Sequence, residues 1–115
     1  LLHGINQSFA EAMTLAGAAG IAAERAFDVI EASAAAAPML SYRRPLYLDE
    51  AAHDVTFTVA LAKKDMTVTA ALAKALGVPM PQAQVTLSKL QEADAAGYGP
   101  RDMAAMLDFS KGQTR

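Results

Sequence analysis

FTVALAKKDM, residues 57–66, is the stretch that decides how this chain folds. On a helical wheel at about 100° per residue, Lys63 joins Thr56, Thr67 and Lys74 in one narrow polar stripe. Lys64 falls instead with Phe57, Leu61, Val68 and Leu72 on an apolar face, and Asp65 sits at its edge. The pattern predicts a long helix over about 56–76, apolar on two sides and therefore the central helix of a bundle. Lys63 reads as an ordinary solvated charge, whereas Lys64 is aimed at what reads as the inside. Two accounts of Lys64 stand. Its stem can lie on apolar surface while the ammonium snorkels to water or pairs with a carboxylate. Alternatively, the face is one wall of a cleft and the lysine meets an anionic or polarised ligand. Burying an unpaired ammonium costs several kcal/mol, so an inward lysine requires a partner or water.

Helical spacing continues on both sides. Leu2, Ile5, Phe9, Ala12, Met13 and Ala16 predict a helix over 2–19, ended by Gly20. A second helix is expected over 21–34, with Phe27 and Ile30 inward. ASAAAA (32–37) reads as a tight packing point before Pro38, followed by a short helix over 39–44 that stops at Pro45. Another turn is expected over 46–50 and a loop over AAHDV (51–55). Lys74 and Gly77 suit the C-terminus of the long helix. Pro81 suits the first turn of a helix over 81–96, which Gly97 ends. Asp102 can cap a last helix over 103–109, and the tail KGQTR is expected to fray. No segment alternates convincingly as a strand, so the chain is expected to be one all-α helical bundle.

The 115 residues suffice for one domain with one core. With 53% hydrophobic and 19% charged residues, disorder is not expected. A net charge of −2 with interspersed signs gives no footprint for nucleic acid and no polybasic membrane patch. There is no cysteine, and neither His3 nor His53 has neighbours at metal-ligand spacing, so no metal site is expected. No apolar run approaches the length that spans a bilayer, and no signal-peptide pattern opens the chain. The chain reads as soluble and cytoplasmic. It starts LLHGINQSFAEAM without a cap, as though cut from something longer inside a helix.

Other polar residues are less informative. His53 reads as a surface residue, and Asp49 with Glu50 as a solvated acidic pair. Tyr42, Arg43 and Arg44 suit either an anion site or a solvated short helix. The six methionines read as core gap-fillers, and Gly97 and Gly99 do not follow a strand, so they form no phosphate loop.

Four pieces in order resemble the C-terminal helical domain of the β-hydroxyacid dehydrogenases. They are AEAMTLAGAAGI (10–21), FTVALAKKDM (57–66), ALGVPMP (75–81) and GYGPRDMAAM (97–106). The resemblance covers almost the whole chain. That family includes 3-hydroxyisobutyrate dehydrogenase, tartronate semialdehyde reductase and glyoxylate reductases, with 6-phosphogluconate dehydrogenase and the imine reductases more distant. The resemblance implies NAD or NADP held mainly by an N-terminal Rossmann domain, with the helical domain closing the active site and supporting a homodimer. It implies that Lys64 reaches the cofactor, that Phe57 lines the pocket beside the reacting carbon, and that Asp65 helps hold the catalytic arrangement. The reaction would be hydride transfer between nicotinamide and a small hydroxy acid. The family's acid/base lysine would lie a few residues upstream of Leu1, so this chain alone is not expected to be catalytically competent. Two rival readings are a non-catalytic helical oligomerisation module and a relative acting on cyclic imines or sugar acids.

Overall fold

The computed structural model describes residues 1–113. Six α-helices follow in order: α1 Leu2–Ala18, α2 Ala23–Glu31, α3 Pro38–Leu48, α4 Val59–Leu76, α5 Pro81–Ala93 and α6 Met106–Gly112. Short helical turns at Glu50–Ala52, Asp94–Tyr98 and Met103–Ala105 join them. No strand occurs among the described residues; Thr58 and Asp102 form a single isolated antiparallel bridge.

The apolar interior has two parts. Phe9 and Met13 of α1 meet Phe27, Leu40, Tyr47 and Leu107 in the first. Phe9 holds Phe27 and Tyr47 at ring-centroid distances of 4.9 and 4.7 Å. Val59, Ala62 and Met66 of α4 meet Leu90, Met106 and Phe109 in the second. Phe57 packs against both parts.

Several expectations change at the residue level. α4 begins at Val59 rather than Thr56, because Thr58 is its N-cap and accepts a hydrogen bond from Leu61 N through its side chain. α3 does not stop at Pro45 but runs through it to Leu48. The proline forfeits one backbone bond, and burial of Leu46 and Tyr47 beyond it offsets that loss. The expected loop over 51–55 opens with a helical turn, Glu50–Ala52. α5 ends at Ala93 and the chain widens into a π-helical turn over Asp94–Tyr98, where Gly97 takes a left-handed φ of 93°. Lys111 and Gly112, expected in the tail, complete α6. The end of that tail, Thr114 and Arg115, lies outside the described residues.

α4 is the longest helix, and only one side of it is covered. Val59, Ala62, Met66 and Ala73 are buried. Leu61, Val68, Leu72 and Leu76 are 41%, 61%, 60% and 68% exposed. The second apolar face of the sequence pattern is therefore bare.

Candidate functional site

The entry to α4, residues 57–60, is hydrogen-bonded to residues 99–103, and this pairing fixes the start of the helix. Met103 N donates to Phe57 O at 2.7 Å, Val59 N to Arg101 O at 2.8 Å, and Ala60 N to Gly99 O at 2.9 Å. With Leu61 N held by Thr58, the first-turn N–H groups of α4 all have partners. Gly99 leaves room for the Asp94 carboxylate: a Cβ there would overlap Asp94 Oδ1, so that carboxylate would have to move.

Asp102 is the anchor beneath this pairing. It is fully buried. Its carboxylate accepts from Arg43 Nη1 at 2.7 Å, Ala104 N at 2.9 Å, Thr56 N at 3.0 Å and Phe57 N at 3.3 Å. Burial alone would raise its pKa. The Ala104 and Thr56 N–H groups, the Arg43 guanidinium and the Phe57 N–H outweigh burial and hold it below the ordinary carboxylate range. The sequence reading had Asp102 as a cap, which it is, but missed that it also neutralises Arg43. Arg43 is buried on α3, so of the two readings of Tyr42–Arg43–Arg44 neither fits it: its anion is an internal carboxylate. Arg44 pairs with Asp28 and Glu31 at 2.8 and 2.5 Å, and Tyr42 is exposed. Glu50 is not simply solvated, because Arg101 donates to both its oxygens. His53 and Asp49 are exposed, as read from the sequence.

The adjacent lysines exchange the roles their wheel positions suggest. Lys63 is not an ordinary solvated charge; it is ion-paired with Asp94 of the connector after α5. Lys64 is exposed and, among the described residues, has no carboxylate within ion-pair distance. Its helix neighbours three and four residues away are Ala60, Leu61, Thr67 and Val68, none of them acidic. An ammonium thus stands on a bare apolar face with no internal counter-charge.

Asp65 is half-exposed, and its carboxylate meets His3 Nε2 of α1 at 3.2 Å. Phe57 is half-buried, its ring 5.5 Å from the His3 ring. The structure therefore brings Phe57 and Asp65 onto one residue that sequence reading did not place in the site. Deeper along the same side of α1, Tyr47 donates to Asn6 Oδ1, and Asn6 Nδ2 donates to Met103 O at 3.0 Å. Burial pushes the Tyr47 phenol above its ordinary range. A signal for His3 and Asn6 was present: they share the spacing of Ala10 and Met13, so two polar residues occupy a buried stripe.

A groove of about 530 Å³ lies on the other flank of α4, lined by Ile5, Phe9, Ile30, Leu40, Met66 and Met80. It does not reach Lys64. Among the described residues no three His, Asp or Glu side chains are grouped to hold a metal ion, and no helix is long and apolar enough to cross a membrane.

This is the architecture of the all-α domain of a dehydrogenase. The crystal structure of 3-hydroxyisobutyrate dehydrogenase from Salmonella typhimurium superimposes on 94% of the chain with a TM-score of 0.80 and 33% sequence identity. The chain covers 38% of that protein. Residues 1–110 match the family described as NAD-binding of NADP-dependent 3-hydroxyisobutyrate dehydrogenase, and the chain belongs to that oxidoreductase family. L-threonate dehydrogenase of Escherichia coli K12 is 33% identical over 115 residues, which are 99% of this chain and 38% of that protein. The Haemophilus influenzae L-threonate dehydrogenase is 32% identical over 113 residues, 97% of this chain and 37% of its own length. The chain thus spans less than two fifths of the relatives it matches.

Proposed function

We propose that this chain is the helical domain of an NAD(P)-dependent enzyme that transfers a hydride between nicotinamide and a short hydroxy acid. In this reading it packs against the protein's own N-terminal Rossmann domain, closes the active site and supports a homodimer. The observation that carries the proposal is Lys64, an ammonium without a carboxylate on a bare apolar face. A body that covers Leu61, Val68 and Leu72 also strips water from Lys64. That is costly unless the covering body brings a negative or strongly polar group to the same place. A bound dinucleotide is rich in such groups, so the residues present fit the cofactor.

The nicotinamide, when bound, supplies the hydride chemistry. The chain's own residues bind, orient and exclude water. Lys64 binds polar groups of the cofactor, and Phe57 lines the pocket and excludes water from the reacting carbon. Asp65, at the edge of the same face, helps hold the arrangement. Proton transfer belongs to a group outside this chain. The relatives are named for L-threonate and 3-hydroxyisobutyrate, both short hydroxy acids, which supports that substrate class. The apolar groove beside α1 supports self-association. An enzyme of this kind works where the dinucleotide pool is, so cytoplasmic residence is part of the same reading.

The test uses the whole protein that carries this chain. It should bind NADH or NADPH, and Lys64→Ala should weaken binding or slow turnover by about 1–3 kcal/mol, the scale of a hydrogen bond to a charged group. Unchanged kinetics in Lys64→Ala would remove Lys64 from the site. A panel of L-threonate, 3-hydroxyisobutyrate, other sugar acids and cyclic imines reads the substrate class, and light scattering reads the dimer.

A further inference from the structure

We propose that His3 is a positioning residue for this site, setting Asp65 and Phe57 from the opposite helix. The inference rests on the function proposed above. The His3 side chain is only 10% exposed, although it lies in the first turn of α1. Its ring is tilted 41° against Phe57, and its Nε2 faces the Asp65 carboxylate. One residue therefore touches two of the three side chains assigned to the site.

The bond is not a general adhesive of the fold. Among the described residues it is the one side-chain hydrogen bond directly joining α1 to α4. Among the described residues the Asp65 carboxylate has no other partner, and its helix neighbours Leu61, Ala62, Val68 and Thr69 offer no cation. With the Asp65 side chain 50% exposed, the bond contributes little to stability. Its effect is geometric. It fixes the direction of the Asp65 carboxylate beside the point where Lys64 leaves α4, whose rotation is set by the packing of Val59, Ala62 and Met66.

The other ring nitrogen sharpens the assignment. His3 Nδ1 is buried and has no hydrogen-bond partner among the described residues. A proton on Nδ1 would be a buried donor with nothing to bond, while a bare Nε2 would face a carboxylate. The arrangement therefore places the proton on Nε2, donating to Asp65, and leaves Nδ1 as a lone pair.

The experiment is a double-mutant cycle in the whole protein. His3→Phe keeps a ring against Phe57 and deletes the donor; His3→Gln keeps a donor and deletes the ring. His3→Phe is expected to lower kcat about tenfold with its thermal midpoint close to the parent's, the size of one lost hydrogen bond to a charged group. His3→Gln should recover most of that loss. In an Asp65→Ala background, His3→Phe should cost nothing further. The proposal is overturned if His3→Phe turns over like the parent, if its loss is the same in both backgrounds, or if both His3 variants lose activity only in step with their stability. Failure of the underlying function reads differently: the parent then binds neither NADH nor NADPH, and the role of His3 falls with it.

Discussion

Replacing Asp102 by asparagine tests whether a single buried carboxylate holds the entry to α4. The substitution keeps the shape and removes the charge. The side-chain amide must then turn its NH₂ either toward Arg43 or toward the N–H groups of Thr56 and Phe57, all of which are donors. Either way Arg43 is left as a buried cation without its counter-charge, and breaking such a pair costs about 3–5 kcal/mol. A domain of this size has about 5–15 kcal/mol in total. With a urea m-value of about 1.5 kcal/mol/M, a loss of about 3 kcal/mol lowers the unfolding midpoint by about 2 M. Arg43→Met should cost less, because Asp102 keeps the N–H groups of Thr56, Phe57 and Ala104. The double variant Arg43→Met with Asp102→Asn should be more stable than the sum of the singles by at least about 1 kcal/mol. A midpoint shift under about 0.5 M for Asp102→Asn, or strict additivity, would refute the reasoning.

The same carboxylate gives a pH prediction. Its folded pKa is below the unfolded value of about 3.9, so its stabilisation is fully present above that value and is lost as pH falls through the folded pKa. Urea midpoints between neutral and strongly acidic pH should fall below about pH 4 in the parent, and that part of the fall should be smaller in Asp102→Asn. Gly99→Ala should destabilise by about 1–3 kcal/mol, because its Cβ displaces the Asp94 carboxylate that binds Lys63; a thermal melt no lower than the parent's would contradict the close approach. Tyr47→Phe should cost about 1–2 kcal/mol in chemical denaturation, since Asn6 Oδ1 then loses its buried donor. An unchanged midpoint would mean that water replaces the hydroxyl.

The helices were legible because their signals are local. Gly20 and Gly77 adopt left-handed conformations just past α1 and α4, and Pro38 and Pro81 open α3 and α5. The boundary errors come from contacts distant in sequence. Nothing local to Pro45 says that Leu46 and Tyr47 have a core to enter, and Thr56 reads as helical until Asp102, 46 residues away, claims its N–H. The proposed site divides in the same way. Phe57, Lys64 and Asp65 stand out within one short stretch, whereas His3 meets Asp65 by a contact 62 residues long in sequence. Its own helical stripe marked it only as a polar residue where an apolar one was due.

Lys63 and Lys64 show what periodicity can and cannot decide. The wheel separates them correctly onto different faces, but it assigns "inside" to whichever face is more apolar. That inference assumes that every apolar face is covered by the same chain. Here the covered side of α4 is made largely of small residues, Ala62 and Ala73 with Val59 and Met66, because α5 packs closely against it. The larger Leu61, Val68 and Leu72 stand outside with Lys64 among them. Exposed leucine and valine at helical spacing are ordinary singly and costly as a stripe, which supports the covering partner proposed above. Lys63 has its carboxylate within the domain; Lys64 has none among the described residues. The lysine that the pattern placed against the interior is thus the one with no carboxylate beside it among the described residues. For that reason the cofactor reading attaches to Lys64 and not to its neighbour.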